Sequence, residues 1–254
     1  MKKLITILFA VMLTFSLSAQ REGDTRFGVV AGLNIAYPVG DDMEDFIEDF
    51  DDMIDYYDDQ YGQDAEGGIK PRIGMHLGFV FDYFLADNIA LSSGFIYSQK
   101  GFVMEREMKQ DGNSGYPYYY NTGSVKIEQR AAVQLNYFDI PMNIKYATDE
   151  GFEISGGLML SILASDNIKS DFDYDGPSSY YSYYDPYDDI DDYEDMFDED
   201  PEGTIIGLNI GVGYTFNEKF NISFKLQKTG EFGEIADEDE NKNLTLQFSA
   251  GVYF

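Results

Sequence analysis

From Arg26 to Ile35 the chain reads RFGVVAGLNI, which puts Phe27, Val29, Ala31, Leu33 and Ile35 on one side of an extended backbone and Gly28, Gly32 and Asn34 on the other. The period of two returns at Ile73, Met75, Leu77, Phe79, Phe81 and Tyr83, whose opposite side holds Arg72, Gly74, His76, Gly78 and Asp82. Six more runs follow, near residues 88–105, 125–147, 152–165, 204–216, 219–230 and 243–254. In the last, Leu244, Leu246, Phe248, Ala250, Val252 and Phe254 alternate with Thr245, Gln247, Ser249, Gly251 and Tyr253. The pattern predicts eight strands, each with one apolar face and one small or polar face.

Alternation alone suits a soluble sandwich as well as a barrel in lipid. The connections separate them. Ala86-Asp87, Thr148 to Gly151 and Asn217-Glu218 are tight turns, whereas the connections at about 36–70, 106–124, 166–203 and 231–242 are long. Short and long alternate without exception, as in an outer-membrane barrel with short periplasmic turns and long extracellular loops. A strand of about 12 residues, rising roughly 3.3 Å per residue and tilted near 45°, spans close to the hydrocarbon thickness. Phe27, Tyr83, Tyr146, Phe152, Phe216, Phe220 and Phe254 all fall near the short-turn end, where an aromatic girdle would lie. The expected fold is all-β: an eight-stranded, antiparallel, up-and-down transmembrane barrel with long acidic extracellular loops carrying short amphipathic helices.

The opposite faces then line the lumen and bring Arg72, His76, Asp82, Lys100, Lys145, Glu153, Lys225 and Gln227 inside. Eight strands leave an interior that side chains fill. These residues are therefore expected to form a paired network that plugs the barrel.

At the N-terminus, Lys2 and Lys3 precede a mostly apolar run from Leu4 to Leu17 and the small residues Ser18 and Ala19. This is the layout of a secretory signal peptide, with cleavage expected after Ala19. The run is shorter than the roughly 20 apolar residues of a spanning helix, and Thr6, Thr14 and Ser16 interrupt it. Residues 1–19 are read as the signal and 20–254 as a single barrel domain, in the outer membrane of a Gram-negative bacterium.

The strand 4 segment LNYFDIPMNIKY, Leu135 to Tyr146, followed by a tight turn and GFEISGGLMLSILA to Ala164, resembles the PorT-like outer-membrane β-barrel family of Bacteroidetes. Ala19-Gln20 and the terminal Phe254 agree with it. The resemblance implies an eight-stranded barrel in outer-membrane lipid, delivered by the barrel-assembly machinery through Phe254, and it implies no catalytic residues. The family's namesake serves a protein-secretion and gliding system. The long Tyr- and Asp-rich loops depart from the compact family pattern.

Composition adds the character of the loops. The 254 residues hold 47 Asp and Glu against 17 Lys and Arg, a formal net charge of -30, which excludes nucleic acid as a partner. There is no Cys and one His, so thiolate and multi-imidazole metal centres are excluded while carboxylate sites stay open. Of the acids, 36 lie in the four long connections, 13 in the first and 15 in the third. Tyr118, Tyr119, Tyr120, Tyr180, Tyr181, Tyr183 and Tyr184 accompany them, a composition that binding loops share with low-complexity fringes.

In the first connection Met43, Phe46, Ile47, Phe50, Met53, Ile54, Tyr57 and Tyr61 recur at helical spacing, predicting an acidic amphipathic helix docked on the barrel rim or a neighbouring loop. Tyr187, Ile190, Tyr193, Met196 and Phe197 suggest a weaker second one. Asp171, Asp173, Asp175 and Gly176 match the start of a calcium-binding loop and make Ca²⁺ a candidate surface-loop ion, although Ser182 stands where a bidentate Glu belongs. No other cofactor is expected.

The expected function is that of a non-enzymatic outer-membrane barrel whose acidic loops bind cations, polysaccharide or an extracellular or secretion-system protein partner, with a link to secretion or envelope integrity. The alternatives are a narrow channel and an outer-membrane enzyme. Against the enzyme, the one His, His76, faces the lumen at mid-strand.

Overall fold

A computed structural model of the chain describes residues 23–61, 64–110, 125–176, 203–231 and 242–254. The expected signal peptide, the second helix at 187–197 and Tyr118 to Tyr120 lie outside the described residues. The elements run β1 (Thr25–Val39), α1 (Asp41–Tyr61), β2 (Asp64–Ala86), β3 (Ile89–Gln110), β4 (Val125–Ala147), β5 (Phe152–Asp175), β6 (Thr204–Phe216), β7 (Phe220–Glu231) and β8 (Lys242–Tyr253). Each strand pairs antiparallel with the next, and β1 closes on β8 through pairs such as Leu33 with Phe248. All eight expected strands are present as one closed up-and-down barrel.

The turns at the narrow-connection end are built by local chemistry. Asn217 and Glu218 both have positive φ, 49° and 61°, the turn whose twist matches a tight hairpin. At the β4–β5 turn, Gly151 has φ 95° and donates to the Thr148 carbonyl at 2.9 Å, while Thr148 Oγ1 accepts from the Phe152 amide at 3.1 Å. Asn88 Nδ2 ties the β2–β3 turn to the Ala147 carbonyl at 2.8 Å.

Outside the ring runs an apolar belt that includes Leu33, Ile73, Met75, Leu77, Phe79, Leu208, Ile210 and Phe248, all exposed. Below it Phe27, Tyr83, Tyr146, Phe152, Phe216 and Phe220 are exposed at the short-turn end, as the girdle expectation required. Exposed apolar surface on this scale would drive aggregation in water, and in lipid it is the solvent-matched face.

The long connections are shorter than the sequence pattern suggests, because β2 to β5 run well past their neighbours. β1 pairs β2 only as far as Ala36 with Arg72, and β6 pairs β5 only as far as Thr204 with Ile162. Beyond those points β2, β3, β4 and β5 stay paired with one another up to Asp64 with Lys109, Gln110 with Val125 and Lys126 with Asp175. Two bulges mark the step. The β2–β3 register shifts between Pro71 and His76, and the β4–β5 register shifts at Asn136/Tyr137, leaving Ala164 without an opposite residue. An extra residue reverses which parity faces inward. In β5 the inward residues are Glu153, Met159 and Ser161 below the bulge, and Phe172 and Tyr174 above it. Residues 64–70, 106–110 and 166–175 are therefore strand, where the alternation read through a fixed parity ended at Arg72 and Ser165.

Candidate functional site

Two regions hold chemistry: the lumen and the four-stranded sheet that stands above the rim. At the lower end of the lumen, Arg26 and Lys145 meet Asp82 and Glu153. Arg26 Nη2 lies 2.7 Å from Asp82 Oδ2 and 2.9 Å from Glu153 Oε1, and Lys145 Nζ donates to Asp82 Oδ2 at 2.9 Å and to Tyr253 Oη at 3.1 Å. Thr215 Oγ1 and Asn221 Nδ2 donate to the two oxygens of Glu153 at 2.8 and 3.2 Å, and the Arg26 guanidinium stacks on Tyr253 with its carbon 3.8 Å from the ring centre. Two cations and two carboxylates balance, which makes it affordable to hold all four out of bulk water. Higher up, Lys100 Nζ donates to Asp139 Oδ1 at 2.9 Å, and Ser161 Oγ donates to the same oxygen at 2.5 Å.

Between these clusters sits His76. Asn34 Nδ2 donates to Ser98 Oγ and the Gln99 carbonyl, which leaves Asn34 Oδ1 as acceptor for His76 Nδ1–H at 2.9 Å. His76 Nε2 is then the acceptor for the Ser249 hydroxyl, also at 2.9 Å. The order serine, imidazole, amide is that of a nucleophile, a base and its orienting group. Here it is shut in the lumen, where Ser249, His76 and Asn34 are all buried.

The lumen is closed above by apolar side chains. Met43, Phe102, Met104, Leu135 and Tyr137 are each at most 2% exposed and pack together with Ala131, Val133 and Ile205. Of the residues expected in the lumen, His76, Asp82, Lys100, Lys145, Glu153 and Gln227 are buried there, Lys225 lines a small cavity together with Lys145, Glu153 and Tyr253, and Arg72 donates to the Lys100 carbonyl. The expected paired plug is present for Asp82, Lys100, Lys145 and Glu153, with His76 and Gln227 hydrogen-bonded within it. Its hub Arg26 was missed because it opens the first strand and reads as a boundary residue; its partner across β1 and β2, Asp82, is visible only in the register.

Helix α1 follows Gly40 and lays Met43, Phe50 and Ile54, all buried, with Phe46 and Ile47 partly buried, on the inner face of the protruding sheet. Acids at its start suit the helix dipole, but its last turn has no basic residue. The stripe, rather than helix propensity, holds it. Further up, Met108 and Ile127 pack with Ala65, Phe172 and Tyr174. The helix expectation stands, with the protruding sheet as its seat; the side chains of Tyr57 and Tyr61 lie outside the described residues.

The outer face of the same sheet is charged. Lys70 Nζ and Arg130 Nε lie 2.6 and 3.1 Å from the two oxygens of Glu105, and Glu107 meets Lys109 at 2.5 Å and Lys126 at 3.3 Å. The hydrogen bond from Lys70, with Arg130 adding to it, holds the Glu105 carboxyl below its usual range, and Lys109 does the same for Glu107. Asp171, Asp173 and Asp175, read as calcium-loop positions, are exposed residues of strand β5 opposite Arg130, Glu128 and Lys126. An extended strand spaces these alternate carboxylates along a line, and the later positions of the motif, Ser182 among them, lie outside the described residues. Among the described residues no three acidic or His side chains are grouped to hold a metal.

The solved structures this chain is similar to include Ail, the attachment invasion locus protein of Yersinia pestis, at 10% identity and TM-score 0.37, covering 92% of this chain and 99% of that one. Others are OprG from Pseudomonas aeruginosa, at 14% identity, TM-score 0.30 and coverage of 93% and 99%, and Neisserial surface protein A, at 11%, 0.31, 90% and 97%. No curated protein matches the chain. The family model described as outer membrane protein beta-barrel domain matches residues 49–228, most of the ring just described. The chain is thus an outer-membrane protein, and it belongs to the outer membrane protein beta-barrel domain family.

Proposed function

We propose that this chain is a non-enzymatic outer-membrane barrel that serves as a rigid base for a protein-binding platform, the sheet of β2 to β5 with α1 seated on its inner face. The observation that carries the reading is the unequal strand length. β2 to β5 have 22 to 24 residues each, whereas β6, β7 and β8 have 12 or 13. About a dozen residues suffice to cross the membrane, so the excess holds a sheet outside it. An ordered sheet with its own apolar cluster and a docked helix is a surface preorganised for a partner.

The filled lumen supports a platform over a narrow channel: Asp82, Glu153 and Asp139 are paired with Arg26, Lys145 and Lys100, and Met43 and Phe102 close the outer end. The resemblance of the Leu135 to Ala164 segment to PorT-like barrels supports an extracellular or secretion-system protein as the partner class. The test is complementation of a deletion strain, scored for secretion, adhesion and envelope integrity. The full chain should restore the phenotype, and a barrel trimmed at Arg72, Lys100, Asn136 and Leu163, present at equal abundance in the membrane, should not. Full rescue by the trimmed barrel places the function in the ring.

A further inference from the structure

The protruding sheet has two lateral edges, and among the described residues only one is protected. Along β2 from Asp64 to Pro71, Gly68 with φ 142° and Pro71 break the edge, and α1 lies against it, with Ile54 and Asp51 next to Gly67 and Gly68. Proline, irregular backbone and a covering element are the usual ways to blunt an edge. Above the Ala164 bulge, β5 from Ser165 to Asp175 has none of them among the described residues. Its last described tie on the β6 side is the Leu163 amide to the Gly203 carbonyl at 2.8 Å, and from Ser165 to Asp175 it pairs only with β4 among the described residues. This stretch contains neither Gly nor Pro.

The two faces beside that edge differ. Phe172 and Tyr174 point toward the apolar cluster, and Asp171, Asp173 and Asp175 stand exposed on the other side. An added strand would place alternate side chains beside each set, because directly opposed residues lie about 4.5–5.5 Å apart. A second copy of β5 added in parallel register would set Asp against Asp and be repelled. A strand alternating Lys or Arg with apolar residues meets both faces with its complement.

Resting on the platform reading above, we infer that the β5 edge from Ser165 to Asp175 captures an extended segment of a partner protein, alternating basic and apolar residues, by strand addition. Main-chain hydrogen bonds would supply the affinity, and the Asp row would supply selection for basic side chains.

The test uses the full chain in detergent and a fluorescent nine-residue peptide alternating Lys and Val. Binding should fall at least tenfold when alternate peptide nitrogens are methylated, since charge is kept and donors are lost. It should also fall at least tenfold in the triple variant Asp171→Asn, Asp173→Asn, Asp175→Asn, and change less than twofold in Asp64→Asn, Glu66→Gln on the other edge. The chain has no Cys, so Lys169→Cys should form a disulfide with a cysteine-bearing peptide in one register only. Equal binding of the methylated peptide, no loss in the triple variant, or no binding at all would overturn the inference. In cells, rescue by the triple variant but not by the trimmed barrel would sink the edge and leave the platform; rescue by both would sink the platform.

Discussion

Arg26 and Asp82 are direct register partners across β1 and β2, and their side chains meet at 2.7 Å inside the lumen. With Lys145 and Glu153 they form a closed set, and removing one member strands the others. Arg26→Met should destabilise the barrel by about 3–5 kcal/mol, since an uncompensated buried charge remains. The simpler pair gives the sharper comparison: Lys100→Met and Asp139→Leu singly should each cost about as much, and the double variant should recover most of the loss. Urea unfolding in lipid vesicles measures it; singles that add to the double would show that the pair is not coupled.

Depth should set the cost of a charge on the lipid face. Phe248 pairs with Leu33 and Phe224 in mid-strand, whereas Phe220 sits at the β6–β7 turn. Phe248→Arg should cost about 2–4 kcal/mol and Phe220→Arg about 0–1. Equal costs in the same vesicles would displace the membrane from the belt described.

Helix α1 is held by its stripe. Met43→Asp should release it, making the amides of residues 43–56 exchange freely, while the boiled and unboiled samples still migrate differently on a gel because the barrel ladder is untouched. Unchanged protection of those amides would mean that something other than the stripe anchors the helix.

The outer face of the protruding sheet should respond to acid. Glu105 and Glu107 are held below their ordinary value by Lys70 and Lys109, so their ion pairs contribute above about pH 4.3 and fade as pH falls through the depressed values. The pairs are exposed, so the effect is small. The protection of amides 102–109, taken relative to the intrinsic exchange rate at each pH, should fall between pH 5 and 3 at low salt, and fall less at high salt, where the pairs are already screened. No change across that range would show that the pairs contribute nothing to the sheet.

Ser249 should remain unlabelled by a fluorophosphonate under conditions where the barrel is intact, and Ser249→Ala should complement the deletion strain fully. Stoichiometric labelling would mean that the lumen opens and that Ser249, His76 and Asn34 work as a nucleophile, base and orienting amide.

The sequence alone determined the ring. A backbone in lipid must satisfy its polar groups within a closed ladder whose two faces meet lipid and lumen, so the crossing segments tend to alternate, and Phe27 to Ile35 or Leu244 to Val252 show it without help from any neighbour. The stripe of α1 was legible for the same reason, since 3.6-residue periodicity is local. What lies above the rim was decided by tertiary structure. Two bulges reverse the inward parity of β2 and β5, so the alternation breaks in the sequence while the ladder continues in space. There the outward residues face water instead of lipid, and Asp171, Asp173 and Asp175, which the sequence pattern leaves in a loop, lie on a strand beside β4. Pairing is a relation between distant residues: Arg26 with Asp82, or the run of β5 beside β4 above the rim, has no signature in either segment by itself.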